Sequence, residues 1–103
     1  MSETWLPVVG WEGVYEISDL GRVKRVAVSR YNSGGILSPC NHPLNGYTSV
    51  HLRHLVRNDQ PKVHRLVLAA FVGPCPPGQQ CNHKNGKRDD NRLANLEWVT
   101  PSE

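Results

Sequence analysis

The sequence is short of the features that mark secreted, membrane-spanning or disulfide-stapled proteins. Its cysteines are three, Cys40, Cys75 and Cys81, an odd number that argues against a disulfide framework. With His42 they make a conceivable zinc set, but no close Cys-x-x-Cys pair exists and the spacing is irregular, so zinc is not expected. No apolar run follows Met1 to suggest a secretory signal. No stretch approaches the roughly 20 apolar residues of a membrane span. A soluble cytoplasmic protein without a membrane partner is the expectation. Large apolar side chains are also scarce: aromatics make up 7%, hydrophobic residues 38%, and mean hydropathy is −0.50. In 103 residues that allows one small core. With 9 Gly and 8 Pro, much of the chain should be turns around short elements.

Charge of one sign is in modest excess. The net charge of +3 and pI of about 9.0 do not demand a polyanion, but the cations are clustered. Arg22, Lys24, Arg25 and Arg30 form one group and Lys84, Lys87, Arg88 and Arg92 another. Such clustering is the footprint of phosphate contacts; the competing reading is a pair of solvated faces.

What is present is local order. Val14 to Ile17, then Ser18-Asp19-Leu20-Gly21, then Arg22 to Val26 read as a β-hairpin whose turn ends at Gly21. The polar segment from Arg30 to Ser38 reads as a loop with its tip at Ser33-Gly34-Gly35. From Gly46 to Arg53, Thr48, Val50 and Leu52 alternate with Tyr47, Ser49, His51 and Arg53, the period of a half-buried strand with one basic, aromatic face. Val63, Leu66, Val67, Ala70 and Phe71 then follow helical spacing, after Pro61 and before Gly73-Pro74. A stiff connector, Pro74, Pro76, Pro77 and Gly78, leads into Cys81-Asn82-His83-Lys84-Asn85-Gly86.

That last run carries the chemistry. It reads as a strand ending at His83 and a turn at Asn85-Gly86, where positive φ is needed. A second strand, Asn95 to Thr100, follows with a buried Leu96/Trp98 pair. An imidazole held at a fixed backbone feature can act as a base near pH 7. His64 reads as structural, His51 and His54 as surface residues, and Trp5, Trp11 and Trp98 as core; Tyr31 and Tyr47 are better placed to touch a nucleic acid. Thr100-Pro101-Ser102-Glu103 has the capping pattern that opens a helix.

Three ordered blocks resemble a known family. Trp5 to Val23 looks like the NUMOD4 motif, while Val63 to Phe71, Asn82-His83 and Asn95 to Thr100 look like the HNH part of the phage and intron homing endonucleases. The resemblance implies an α+β fold: a small antiparallel β unit, a central helix and a ββα-metal HNH motif. Residues 1–55 would form the NUMOD4-like, DNA-contacting region and 56–103 the nuclease region, within one compact domain. It also implies cleavage or nicking of double-stranded DNA with one divalent ion, Mg²⁺ or Mn²⁺. His83 would be the general base, Asn95 the asparagine that orients the site loop, and Asn82 the metal position, often aspartate in the family. The third signature position would fall immediately after Glu103, and Asp89 or Asp90 is a candidate substitute carboxylate. Arg22, Lys24, Arg25, Tyr47, Arg53, Lys84, Lys87, Arg88 and Arg92 would contact DNA, with the Tyr47–Arg53 strand entering the major groove. The oligomer, monomer or dimer, stays open. Two alternatives stand beside the nuclease: an incomplete HNH remnant that binds DNA without cutting, and a protein-interaction domain.

Overall fold

A computed structural model describes residues 3–27, 34–44, 46–54 and 56–100. The expectations at Arg30, Tyr31, Ser33 and residues 101–103 lie outside these. The fold is α+β. Four short strands, β1 (Trp5–Pro7), β2 (Tyr15–Ser18), β3 (Val23–Arg25) and β4 (Gly35–Ile36), form an antiparallel meander in chain order. Three antiparallel ribbons follow: β5 (Cys40–Asn41) with β6 (Thr48–Ser49), β7 (Leu52–His54) with β8 (Arg57–Asp59), and β9 (Gln80–His83) with β10 (Leu96–Val99). Helix α1 (Val63–Phe71) lies between the last two ribbons in sequence, and a 3₁₀ turn covers Leu93–Asn95.

The predicted hairpin forms as β2 and β3, and its turn is built by two residues. The Ser18 hydroxyl oxygen accepts from the backbone N–H groups of Leu20 (3.2 Å) and Arg22 (3.1 Å). Gly21 takes φ +84°, which a side chain would resist. The predicted strand over Tyr47–Arg53 keeps its alternation, with Thr48, Val50 and Leu52 buried, but not its continuity. It breaks into β6 and β7, which pair with different neighbours, because the chain must change partners between the two ribbons. The segment read as a loop tip contributes Gly35 to β4, which pairs against Arg25 of β3. Strands β5 and β8 had no alternating signal to announce them.

Helix α1 has the predicted limits. Gly73 at φ +136° sends its N–H, like that of Val72, to the Leu68 carbonyl (both 2.9 Å), which ends the helix. Its buried residues are Val63, His64, Val67 and Leu68, whereas Leu66, Ala70 and Phe71 are only partly covered. The apolar stripe is thus rotated from the expected one, because the helix packs against β2 on one side and β9 and β10 on another. The core joins Val8, Trp11, Tyr15, Ile17 and Val23 of the N-terminal half to Val63, Val67, Leu68 and Leu96 of the C-terminal half. Tyr15 links β2 to β7 through its hydroxyl, which donates to the Arg53 carbonyl (3.0 Å) and accepts from the Arg53 N–H (2.9 Å).

Candidate active site

In the β9–β10 ribbon His83 stands opposite Leu96, and Asn82 opposite Glu97. By strand alternation His83 turns toward the core side, where it is 8% exposed, and Asn82 toward solvent. Both line one open groove of about 300 Å³, together with Tyr47, Gln80, Gly86 and Arg88. Tyr47 arrives from the segment before β6, its ring centroid 6.1 Å from that of His83. Arg88 sits over the Tyr47 ring at 5.0 Å. The structure therefore brings four sequence-predicted residues, Asn82, His83, Tyr47 and Arg88, to a single concave surface.

His83 is held by a residue that sequence reasoning did not single out. Its Nε2 lies 3.0 Å from the Asn91 side-chain oxygen in a buried hydrogen bond. An amide oxygen only accepts, so Nε2 donates in this bond. Nδ1 has no hydrogen-bond partner among the described residues. Asn91 carried no local signal, since loop asparagines are common and only the folded loop lays this one against the ring.

Asn95 ends the loop between β9 and β10, as the last residue before β10. Its side-chain oxygen accepts from the Asn85 N–H (3.0 Å), and its amide nitrogen donates to the Asn85 side-chain oxygen (3.0 Å) and the Asp90 carbonyl (2.9 Å). Its own carbonyl accepts from the Lys84 N–H at 2.8 Å. The Asn85-Gly86 turn is closed by Gly86 N–H donating to the His83 carbonyl (2.9 Å), with Gly86 at φ +77°. The loop is thus cross-tied immediately beyond the histidine.

Asp90 and Asp89 differ. The Asp90 carboxylate accepts two bonds from Arg92, both at 2.8 Å, and one from Asn85, also 2.8 Å. The Arg92 guanidinium, then Asn85, hold its carboxyl well below the usual range. Asp90 therefore braces the loop and Arg92 is its partner, while Asp89 is exposed. The carboxylate beside Asn82 is instead Glu97, whose Oε2 accepts from the Asn82 amide nitrogen at 2.8 Å. That bond employs the Asn82 amide nitrogen, and the oxygen of the same amide is a donor of the kind hard divalent cations take. Among the described residues no group of three or more His, Cys, Asp or Glu side chains gathers to hold a metal ion, so a divalent cation here would have few protein ligands. The cross-strand register is the signal that would have found Glu97.

The remaining cations divide by employment. Arg25 is drawn inward: its guanidinium donates to the carbonyls of Ala27 (2.9 Å) and Arg53 (2.6 Å) and to the Tyr15 hydroxyl (3.0 Å). These bonds engage Nε and Nη1, so Arg25 ties β3 to β7 as well as adding its charge to this face. Arg22 pairs with Glu3, and Lys24 lies 3.6 Å from Glu16 and 4.2 Å above Trp5. Arg53, Lys84 and Lys87 are exposed, with no side-chain partner among the described residues. Lys62, not anticipated, joins Arg88 beside Tyr47 at 5.8 Å. Of the cysteines, Cys40 and Cys75 are exposed on separate elements, and burial pushes the Cys81 thiol up to about 11.

His64 lies behind the site. It is 5% exposed, its ring centroid 5.1 Å from His83, edge to face, and 5.1 Å from Tyr47. Its Nδ1 is buried without a partner among the described residues. Burial first, then His83, Arg65 and Lys62, push its pKa from 6.5 down to about 4. Between those values the unfolded chain binds a proton that the folded chain refuses. The stability this provides is complete above pH 6.5 and is lost as pH falls toward 4, an acid loss of about 3 kcal/mol. Urea midpoints measured from neutral to acid pH should show this slope in the native chain and a flatter one in His64→Phe; an equally steep variant would assign the loss to other groups.

Comparison with known proteins bears on the family and the fold. Residues 3–53 match the NUMOD4 motif and residues 62–103 match the HNH endonuclease model. An uncharacterized HNH endonuclease, L247, of Acanthamoeba polyphaga mimivirus is 42% identical over 99% of this chain and 25% of its own length. DNA endonuclease I-HmuI of Bacillus phage SP01 is 33% identical over 93% of this chain and 52% of its own. A solved structure described as DNA binding and cleavage by the HNH homing endonuclease I-HmuI superposes with a TM-score of 0.83 at 32% identity, covering 96% of this chain and 53% of that one. The chain thus spans about half or less of the length of these relatives. HNH endonucleases generally use a divalent metal. The two motif matches, in order, and the shared fold establish that this chain belongs to the HNH homing endonuclease family, with a NUMOD4 motif in its N-terminal half.

Proposed function

We propose that this polypeptide is a DNA endonuclease that hydrolyses a phosphodiester bond of duplex DNA, with His83 as general base. The observation that carries the reading is the buried Asn91–His83 hydrogen bond, which leaves the other imidazole nitrogen open beside a basic groove. In this reading Nδ1 of His83 takes the proton of the attacking water. Asn82, oriented by Glu97, would hold a Mg²⁺ or Mn²⁺ ion, with waters and substrate phosphate completing its shell. That ion, when bound, supplies positive charge for the pentacovalent phosphorus and the departing 3′ oxygen. Arg88, Lys84 and Lys87 lie on the loop around the histidine and Lys62 beside Tyr47, so phosphate contacts concentrate at the groove, with Arg53, Arg22 and Lys24 extending the basic surface. The three free cysteines suit a reducing host cytoplasm.

The test is plasmid nicking in Mg²⁺ or Mn²⁺, with EDTA as control. Metal-dependent conversion of supercoiled to open-circular DNA is expected. The neutral amide at Asn82, in place of a carboxylate, favours one second reading, a DNA-binding module without cleavage. Duplex binding that weakens with salt, with no nicking in either metal, would select it. No salt-sensitive binding at all would remove both.

A further inference from the structure

We infer that the Ser18–Gly21 turn of the N-terminal motif is a positioning element for His83, acting through Asn91. This rests on the reading of His83 as the base, and it assigns the NUMOD4 region a task inside the nuclease site in addition to any contact with DNA.

Three independent observations converge. Asn91 is 6% exposed and holds His83 Nε2 at 3.0 Å. The turn presses directly on Asn91: a Cβ at Gly21 would stand 2.8 Å from the Asn91 carbonyl oxygen and 2.9 Å from its Cβ, distances that real side chains do not tolerate. The adjoining backbone is bonded to the same turn, because Leu93 donates its N–H to the Asp19 carbonyl at 2.7 Å. Asp19 is itself anchored to β1's entry, donating its N–H to the Thr4 carbonyl (3.0 Å) and accepting the Thr4 N–H through its carboxylate (3.1 Å).

The physical need is clear from the loop's internal bonds. Asn85, Asp90 and Asn95 cross-tie the loop's near half to its end. No side chain of the β9–β10 ribbon other than His83 itself holds the Asn91 amide. Its position is set from outside, by a turn some 70 residues earlier in sequence, as Gly21 and Asn91 show. Glycine at 21 therefore answers two requirements, a left-handed backbone and a close approach. Only the second concerns the site.

That distinction supplies the experiment. Gly13 has φ +81° against +84° for Gly21, but a Cβ there meets nothing within 4 Å. Gly13→Ala and Gly21→Ala thus impose similar backbone strain, and only the second displaces Asn91. The readout is the His83 Nε2–H proton resonance and its solvent exchange in ¹⁵N-labelled protein, without DNA or metal. The hydrogen-bonded proton should persist in the native chain and in Gly13→Ala. In Gly21→Ala it should exchange at least about tenfold faster, as a freed imidazole N–H does. If Gly21→Ala does not fold, Leu93→Pro removes the bond to Asp19 at a position that opens a 3₁₀ turn, where proline fits, and the same loss is expected. A protected Nε2–H in the folded Gly21→Ala or Leu93→Pro variant, or equal loss in Gly13→Ala, overturns the inference. Because the readout needs no cleavage, a failure of the nuclease reading would leave this result standing and identifiable.

Discussion

His83→Ala is expected to lower metal-dependent nicking by roughly 10²–10⁴-fold, the usual contribution of a general base. The direction follows from geometry. Asn91 accepts from Nε2, which leaves Nδ1 to take the proton of the attacking water. The neutral His64 behind it adds no competing positive charge there, since burial holds its pKa near 4. The alanine variant should still bind duplex DNA with the native salt dependence, because Lys84, Lys87 and Arg88 are untouched. Unfolding curves must accompany the assay, as His83 is buried and its removal leaves a gap beside His64 and Tyr47. Equal nicking by the native chain and a folded His83→Ala variant would take the imidazole out of the mechanism.

Asn95→Ala is expected to cost roughly 3–4 kcal/mol of stability, from three side-chain hydrogen bonds of about 1 kcal/mol each and newly unpaired groups. Asn95 is 7% exposed, so water cannot simply replace the lost partners. Against a total of about 5–15 kcal/mol for a typical domain, the loss is large. It should appear as a lowered urea midpoint and as faster amide exchange at Asn85, whose N–H bonds to Asn95. Asn95→Asp gives the control: a carboxylate keeps the acceptor for the Asn85 N–H but cannot donate to the Asp90 carbonyl. It should fall between native and alanine. If the alanine variant matches the native midpoint, the asparagine does not organise the loop.

The family and the main elements were legible because they depend on short-range rules. Turn chemistry at Ser18–Gly21 and Asn85-Gly86 reads locally, and so does the helical spacing from Val63 to Phe71. The alternation of Thr48, Val50 and Leu52 survived even where the strand broke, since the core claims the same face on both sides of the break. Strands β5 and β8 escaped notice because exposed ribbons of a few residues carry no apolar period. Arg25 and Arg53 looked alike as cations in a basic segment. Folding sends one guanidinium to the Arg53 carbonyl and Tyr15 and leaves the other in solvent.

Read alone, then, the chain specified its turns, its helix, the histidine and asparagines that resemble the family's signature, and the positive balance of its charge. Tertiary packing decided which of these groups meet. It set Asn91 against His83, laid His64 behind it, placed Glu97 beside Asn82 and brought the Gly21 turn onto the β9–β10 loop. The reason is range: dihedral preference and periodicity act over a few neighbouring residues. The contacts that orient this imidazole join segments far apart in sequence, and they exist only once a shared core has drawn both halves together.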